Sequence, residues 1–244
     1  LQKAYKLLAL QEGISNKRAK ELIDRGLVYV GDKKVKIARA ELPSDTKFNI
    51  QNPDDIRVIY EDDKLVAINK PAFIDSYEIE RALKGAKLIH RLDRETSGVL
   101  LLAKDEEFLK MAIRAFKNLE VKKGYIAWVE GVVVEPLEID FPLLTFKRGN
   151  RAFSKVDMKK GKRAITLLYP DEVQGKKSKV KLEIKTGRTH QIRAHLGYIG
   201  HPVVGDEAYG SPTKAKRVLL HANSIEILGY KFVAPEPKDI KRYK

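Results

Sequence analysis

An α+β fold is the class that this sequence predicts. Strand-like and helix-like stretches follow one another without strict alternation. Apolar residues fill 43% of 244 positions, enough for a substantial core rather than a disordered chain. A polar, proline-containing stretch at 51–55, "QNPDD", reads as a linker. It divides a small unit, 1–50, from a larger one, 56–244.

In the small unit, "KAYKLLALQE" (about 3–12) has helical apolar spacing, and Gly13 interrupts it. Ser15 is placed to cap a second helix, about 16–25. Ala19, Leu22 and Ile23 mark the core face of that helix, and Lys17, Arg18 and Lys20 fall around the other side. Gly26 is placed to end it in a left-handed conformation. "LVYV" and "KVKI" flank "GDK" as a strand pair, and a short strand at about 46–51 closes the unit. In the larger unit, "IRVIY" and "LVAIN" flank "EDDK" as a second hairpin, followed by a helix at about 76–84. "VLLLA" (99–103) is a continuous apolar run, expected of a strand buried on both faces. Helical spacing returns at 106–119 through Phe108, Ala112, Phe116 and Leu119. "GYIAWVEG", "ITLLYP", "KVKLEIKT" and "VLLHANSIEIL" read as strands, and "GRTHQIRAHLGYIG" turns from strand into helix.

The net charge of +15 favours a polyanion as partner, nucleic acid before an anionic membrane. No apolar run approaches the roughly 20 residues of a membrane span, so no membrane is expected. No secretory signal is visible, and the opening Leu1 is expected of a trimmed N-terminus. The absence of cysteine excludes thiolate chemistry, disulfides and cysteine-ligated zinc, and agrees with a cytoplasmic location. The five histidines lack the spacing of four found in H-E-x-x-H; His190 and His195 are five apart. No metal site is expected, and the histidines read as hydrogen-bonded residues around a cleft. Two basic zones stand out: eleven basic against six acidic residues in 1–50, and a second formed by 147–163, with eight basic against Asp157 alone, together with 176–185. Either is compatible with a plain solvated surface.

The order of parts in "LLALQEGISNKRAKELIDRGLVYVGDKKVK" resembles the S4 RNA-binding domain. That resemblance implies that the second helix and the hairpin hold RNA phosphates through Lys17, Arg18, Lys20, Lys33 and Lys34, by charge rather than sequence reading. "VGDK" stands where that family often has Asn-Gly, and "LPSDTKF" where it has a Gly-Asp turn.

In "HRLDRETSG" (90–98), Asp93 sits between Arg91 and Arg94, just ahead of the buried run. For an arbitrary aspartate, a structural salt bridge with Arg91 or Arg94 or a turn cap would be the better explanation. A kinase catalytic loop is excluded by the intervening Leu92 and by the lack of a phosphate loop or D-F-G. Taken with "IYEDDKLVAINKP", "KKGYIAWVEG", "TGRTHQIRAHLGYIGHPVVGDEAYG" and "LLHA", the stretch resembles the RluA family of pseudouridine synthases over most of 56–235.

The resemblance implies a mixed, mostly antiparallel sheet with flanking helices and a central cleft. Asp93 matches the essential aspartate, Arg193 its arginine partner, and Tyr125 the tyrosine that stacks on the target uracil. Arg91 matches the residue that fills the gap left by a flipped nucleotide, and Ile192 and Leu182 an apolar floor. Isomerisation gains and loses no atoms, so no cofactor is implied. An ionised carboxylate suits a sugar centre of developing positive charge, and a guanidinium gripping it with two donors keeps it ionised. The expected partner is structured RNA, that of the large ribosomal subunit first and transfer RNA second, and the expected state a monomer with no obligate protein partner. Only fifteen residues, Asp75 to Ile89, separate "NKPAFI" from "HRLD", fewer than is common in that family, which implies a more open cleft or one covered by RNA. A non-catalytic RNA-binding or ribosome-assembly factor and an RNA N-glycosidase are the rival readings.

Overall fold

A computed structural model of the protein describes residues 1–149 and 151–243, without the side chain of Arg151. The chain forms two compact units, Leu1–Asp55 and Ile56–Lys244.

The first unit runs β1 (Gln2–Lys3), α1 (Ala4–Glu12), α2 (Asn16–Asp24), β2 (Val28–Val30), β3 (Lys33–Lys34), β4 (Glu41–Leu42) and β5 (Asn49–Ile50). Gly13 ends α1 at φ 64°. The Ser15 hydroxyl accepts the Arg18 amide at 3.2 Å and caps α2, as its position predicts. Ala19, Leu22 and Ile23 are buried, and Gly26 takes φ 74°. β2 pairs with β3 and β5. The strand expected over "KVKI" (34–37) is instead Lys33–Lys34, sharing only Lys34 with it, and that over 46–51 shortens to Asn49–Ile50. The pairing of β1 with β4 has no pattern in the sequence to announce it.

The second unit contains β6 (Arg57–Glu61), β7 (Leu65–Lys70), α3 (Ser76–Ala82), β8 (Lys87–Leu88), β9 (Ser97–Ala103), α4 (Glu106–Lys117) and β10 (Lys122–Glu130). There follow β11 (Leu137–Asp140), β12 (Leu143–Arg148), β13 (Arg151–Val156), β14 (Ile165–Gln174), β15 (Lys177–Ile184) and α5 (Gln191–Tyr198). A 3-10 turn (Glu207–Tyr209), β16 (Leu220–Ile227), β17 (Tyr230–Val233) and α6 (Lys238–Lys241) complete it. Ten strands form one sheet along the path β11-β14-β15-β10-β16-β9-β7-β6, with β17 on β16 and β8 on β9. Among the described strands every pair in it is antiparallel except β16 with β9. The architecture is the mixed, mostly antiparallel α+β fold expected.

β9 is buried along its whole length, and its alternation explains why the sequence reads as a continuous apolar run. Val99, Leu101 and Ala103 meet Phe108, Ala112 and Ala115 of α4 on one face. Leu100 and Leu102 meet Ile79 of α3 and Leu92 on the other. Each such leucine contributes roughly 1.5–3 kcal/mol on burial. Asp105 caps α4 by accepting the Phe108 amide at 2.7 Å. A third cluster joins Val180 and Leu182 of β15 and Ala127 of β10 to Ile192 and Leu196 of α5. Gly98 fixes the parallel contact: any Cβ there would run into the Ala222 carbonyl of β16, and its φ is 119°. The last glycine of "HRLDRETSG" therefore lets two central strands approach closely.

Candidate active site

Asp93 lies in the 89–96 loop that feeds β9. The Thr96 amide donates to the Asp93 carbonyl at 3.1 Å and closes a turn. Just before it, the buried Ser76 hydroxyl of α3 donates to the Leu92 carbonyl at 3.0 Å and accepts the Leu92 amide at 3.1 Å. Just after it, the Arg94 carbonyl accepts the Phe73 amide at 2.7 Å and Lys70 Nζ at 3.3 Å. Lys70 is fully buried and also donates to the carbonyls of Pro71 and Ile74, at 3.0 and 2.8 Å. Burial pushes its ammonium down to about 7, while the charge of Asp93 resists that fall. Phe73 holds φ 70°, a conformation that a bulky residue keeps only where its surroundings over-determine it. Both sides of the aspartate are strapped to α3 and β7, and Leu92 is buried beneath.

Across from this loop, Gln191 anchors the start of α5. Its carbonyl oxygen accepts from the Thr186 hydroxyl (2.7 Å) and the Arg188 amide (3.1 Å). Its amide nitrogen donates to the Ile165 carbonyl (2.9 Å) and the Thr166 hydroxyl (3.1 Å). Two residues on, Arg193 reaches Asp93, with Nη1 donating to Oδ2 at 3.2 Å. The pairing expected from the sequence is present but differs in kind. The two-donor grip goes to the buried Asp206, from Nε at 2.6 Å and Nη2 at 2.9 Å, and Asp93 receives one bond. Asp206 is the more deeply buried carboxylate, with a side chain 1% exposed against 23% for Asp93. The stronger compensation goes to the charge that water cannot reach. Burial alone would lower the Arg193 pKa, but the bonds and charge of Asp206, aided by Asp93, raise it.

His190 precedes α5 at φ 50°. Its Nδ1 is 2.9 Å from the Tyr209 hydroxyl, which accepts the Ser154 amide at 3.0 Å. The other ring nitrogen, Nε2, lies 3.6 Å from Asp93 Oδ2. Burial keeps this ring below the usual histidine range. The other four histidines are held internally, to the Leu101 amide (His90), the Phe141 carbonyl (His195), the Glu130 carbonyl (His201) and the Ala234 carbonyl (His221).

Tyr125 lies on β10 opposite Leu182 and packs against two core clusters. Burial first, and then the Asp93 charge, raise its phenol pKa, so it stays protonated at neutral pH. Asp93, Tyr125, Arg193, Arg91, Lys123 and Ile192 line one cavity of about 340 Å³. That volume falls within the roughly 300–1,000 Å³ typical of small-ligand sites. Leu182, expected in the apolar floor, does not line the cavity. It is buried in the cluster under α5, and Ile184, one alternation further along β15, takes that place with Leu220. Arg91 is exposed at the rim, its guanidinium 5.7 Å from the Tyr77 ring centre. His190 is one of the histidines read as hydrogen-bonded around a cleft, whereas Asp206, Lys70 and Ser76 were not singled out from sequence. The aspartate stands inside "GHPVVGDEAYG", but nothing in the spacing states that it faces Arg193.

The basic zones are also placed. Lys17, Arg18 and Lys33 are exposed in the first unit, while Lys20 lies 4.3 Å over the Tyr5 ring and Lys34 is half-buried. Arg18 meets Glu21 at 3.4 Å. The run 147–163 forms the arms of a hairpin, β12 and β13, and the turn beyond it; Lys147, Arg148, Lys155, Lys159, Lys160, Lys162 and Arg163 are exposed. Ser154 ties that hairpin to Tyr209.

Residues 62–198 match the RNA pseudouridylate synthase family. An uncharacterized RNA pseudouridine synthase of Helicobacter pylori is 50% identical over 99% of this chain and 100% of its own length. Ribosomal large subunit pseudouridine synthase C of Buchnera aphidicola is 34% identical over 80% of this chain and 67% of its own. A transfer RNA pseudouridine synthase C of Haemophilus ducreyi is 33% identical over 69% and 83%. The structure of human RNA pseudouridylate synthase domain containing 1 aligns with TM-score 0.66 and 28% identity, covering 75% of this chain and 84% of that one.

Proposed function

The chain belongs to the RNA pseudouridylate synthase family, an isomerase family acting on RNA, and on that premise we propose that it converts specific uridines of large-subunit ribosomal RNA to pseudouridine, with Asp93 as the essential carboxylate. The observation that carries the assignment is the ion pair of Asp93 with Arg193 inside a cavity that Tyr125 also lines.

The N1–C1′ bond of the target breaks, the uracil turns, and C5 joins the same C1′, so neither redox chemistry nor a further reactant is needed. Asp93 faces the sugar, as nucleophile or as counter-charge to a developing oxocarbenium centre. Arg193 keeps that carboxylate charged and aimed. Extruding the nucleotide costs a few kcal/mol, which stacking of the base on the Tyr125 ring, worth roughly 1–3 kcal/mol, and entry of Arg91 into the vacated stack offset. Its raised pKa keeps the Tyr125 phenol protonated, so it serves as a stacking platform rather than as the base, and the C5 proton passes to water. The small unit serves as an S4-like module, with Lys17, Arg18, Lys20, Lys33 and Lys34 on phosphates, and the β12–β13 hairpin tracks the RNA backbone beside the cavity. The enzyme works as a cytoplasmic monomer.

The test uses RNA tritiated at uridine C5, from cells lacking the gene. Wild-type protein releases tritium to water without freeing uracil, and the modified position maps to ribosomal RNA of the large subunit. Release of free base would identify a glycosidase, and release only from transfer RNA would reassign the substrate. Asp93→Asn lowers the rate by at least about a thousandfold, roughly 4 kcal/mol of barrier, with RNA affinity retained. Turnover by that variant near the wild-type rate would remove the aspartate from the mechanism.

A further inference from the structure

Among the described residues of the second unit three lysines are buried, and they differ in what holds them. Lys70 donates to three backbone carbonyls, which uses every hydrogen an ammonium has. Lys179 meets Glu236 at 2.7 Å. Lys123 donates at 3.1 Å to the Thr186 carbonyl and lies 5.6 Å from the Phe116 ring centre. Among the described residues no carboxylate pairs with it. It lines the cavity two residues before Tyr125 on the same strand, and the residue beside its ammonium is Gly187, which carries no side chain. Burial lowers its pKa to about 8, leaving it largely charged at neutrality. An ammonium taken from water without a counter-ion is destabilising. Its retention at the wall of a cleft calls for an anion that arrives with the substrate.

The other deeply placed cation of the cavity is already engaged. Arg193 carries three bonds to two carboxylates, so its charge is balanced before RNA enters. Fission of N1–C1′ generates charge of both signs. The sugar becomes electron-poor and meets Asp93. The electron pair goes to N1 and is shared with O2 and O4 of the uracil anion, until C5 returns to C1′, its proton passes to water and N1 takes one up. Asp93 cannot stabilise that second charge.

We propose that Lys123 is a further catalytic residue, whose ammonium hydrogen-bonds a carbonyl oxygen of the uracil held on Tyr125 and stabilises the anion while the base is detached. The assignment rests on the synthase reading above. It adds the electrostatic counterpart to Asp93: one group for each pole of the broken bond, with no net proton transfer from the lysine. A bond to O4 would also favour uracil over cytosine, whose amine at that position turns hydrogens toward the ammonium, whereas a bond to O2, which both bases carry, would not.

The test is Lys123→Met, similar in length, apolar and suited to a buried site. On tritiated RNA, the single-turnover rate at saturation falls by about 10²–10³-fold, the range for removing one donor from an oxyanion site, while Kd for RNA stays within about threefold. A saturated rate equal to wild type overturns the proposal. So does a weakened Kd with an unchanged rate, which would make the lysine a phosphate anchor. The chain has no cysteine, so Lys123→Cys offers a single thiol for aminoethylation, which rebuilds an ammonium at nearly the same reach. Recovery of at least tenfold supports the charge role. Complete modification by mass, with the protein folded and no recovery, rejects it. The wild-type control separates the layers: no tritium release by wild type rejects the synthase reading and this assignment with it, whereas an active wild type matched by Lys123→Met rejects this assignment alone.

Discussion

Arg193 shows what a single side chain contributes here. Its fork holds Asp206 and its remaining edge holds Asp93, so one planar group fixes two acids at a set angle. A lysine keeps the charge and loses the fork. Arg193→Lys is expected to lower the saturated rate by about 10²-fold with little change in RNA affinity; an unaltered rate would show that the point charge suffices. His221 gives a pH dependence of stability. It is fully buried, accepts from Ser97 at Nδ1 (2.9 Å) and donates from Nε2 toward the Ala234 carbonyl (3.3 Å). Burial depresses its pKa from 6.5 to about 4. The unfolded chain therefore binds the proton first. This contribution is whole above about pH 6.5, declines as the pH falls toward 4, and totals roughly 3 kcal/mol. Urea midpoints between pH 7 and 4 should fall more steeply for wild type than for His221→Gln, and parallel curves would contradict the depressed value. The positions of Asp93, Tyr125 and Arg193 were legible because each lies in a motif readable along the chain. Asp206, His190 and Lys123 acquire their meaning only from partners brought close by folding, which no local spacing encodes.

At the scale of elements, α3 does more than cover one face of the sheet. Its first residue, Ser76, exchanges two hydrogen bonds with Leu92 and holds the strand-entry loop in place. Ser76→Ala leaves a buried amide and carbonyl without that partner, a destabilisation of about 1–3 kcal/mol. It should also reduce the catalytic rate, because the aspartate next in sequence loses its brace. Thermal unfolding reads the first effect and single-turnover kinetics the second; a stability loss with full activity would show that Lys70 and Phe73 hold the loop unaided. The apolar run of β9, the β6–β7 hairpin and the cap of α2 could be read from sequence, since apolar periodicity and side-chain capping are local. The β12–β13 hairpin could not. Its exposed charges hide the alternation of a strand, and Phe146 and Phe153, 6.0 Å apart across it, are too few to reveal the pairing. The parallel contact of β9 with β16 joins residues more than a hundred apart, and only Gly98 hints at it.

Across the whole molecule, the +15 charge sets how affinity responds to salt. Each phosphate neutralised by a lysine or arginine releases counterions, so the logarithm of affinity falls with that of salt in proportion to the phosphates engaged. Replacing Lys17, Arg18 and Lys33 by glutamine should weaken binding uniformly across RNA sequences and flatten the salt slope by about one for each phosphate no longer neutralised. An unchanged slope would mean that the small unit touches no phosphate. The same triple change in the hairpin, at Lys147, Arg148 and Lys155, separates the two basic surfaces, since their slopes add only if both meet the backbone.

Asp206 secures the arginine without facing the nucleotide itself, and that has a bearing on how such an enzyme diversifies. The machinery is preorganised: its guanidinium stands ready in the resting state, and RNA binding need not assemble it. Rim loops and charged surfaces can then vary without disturbing the pair of Arg193 with Asp206, so a change of target need not touch the chemical step.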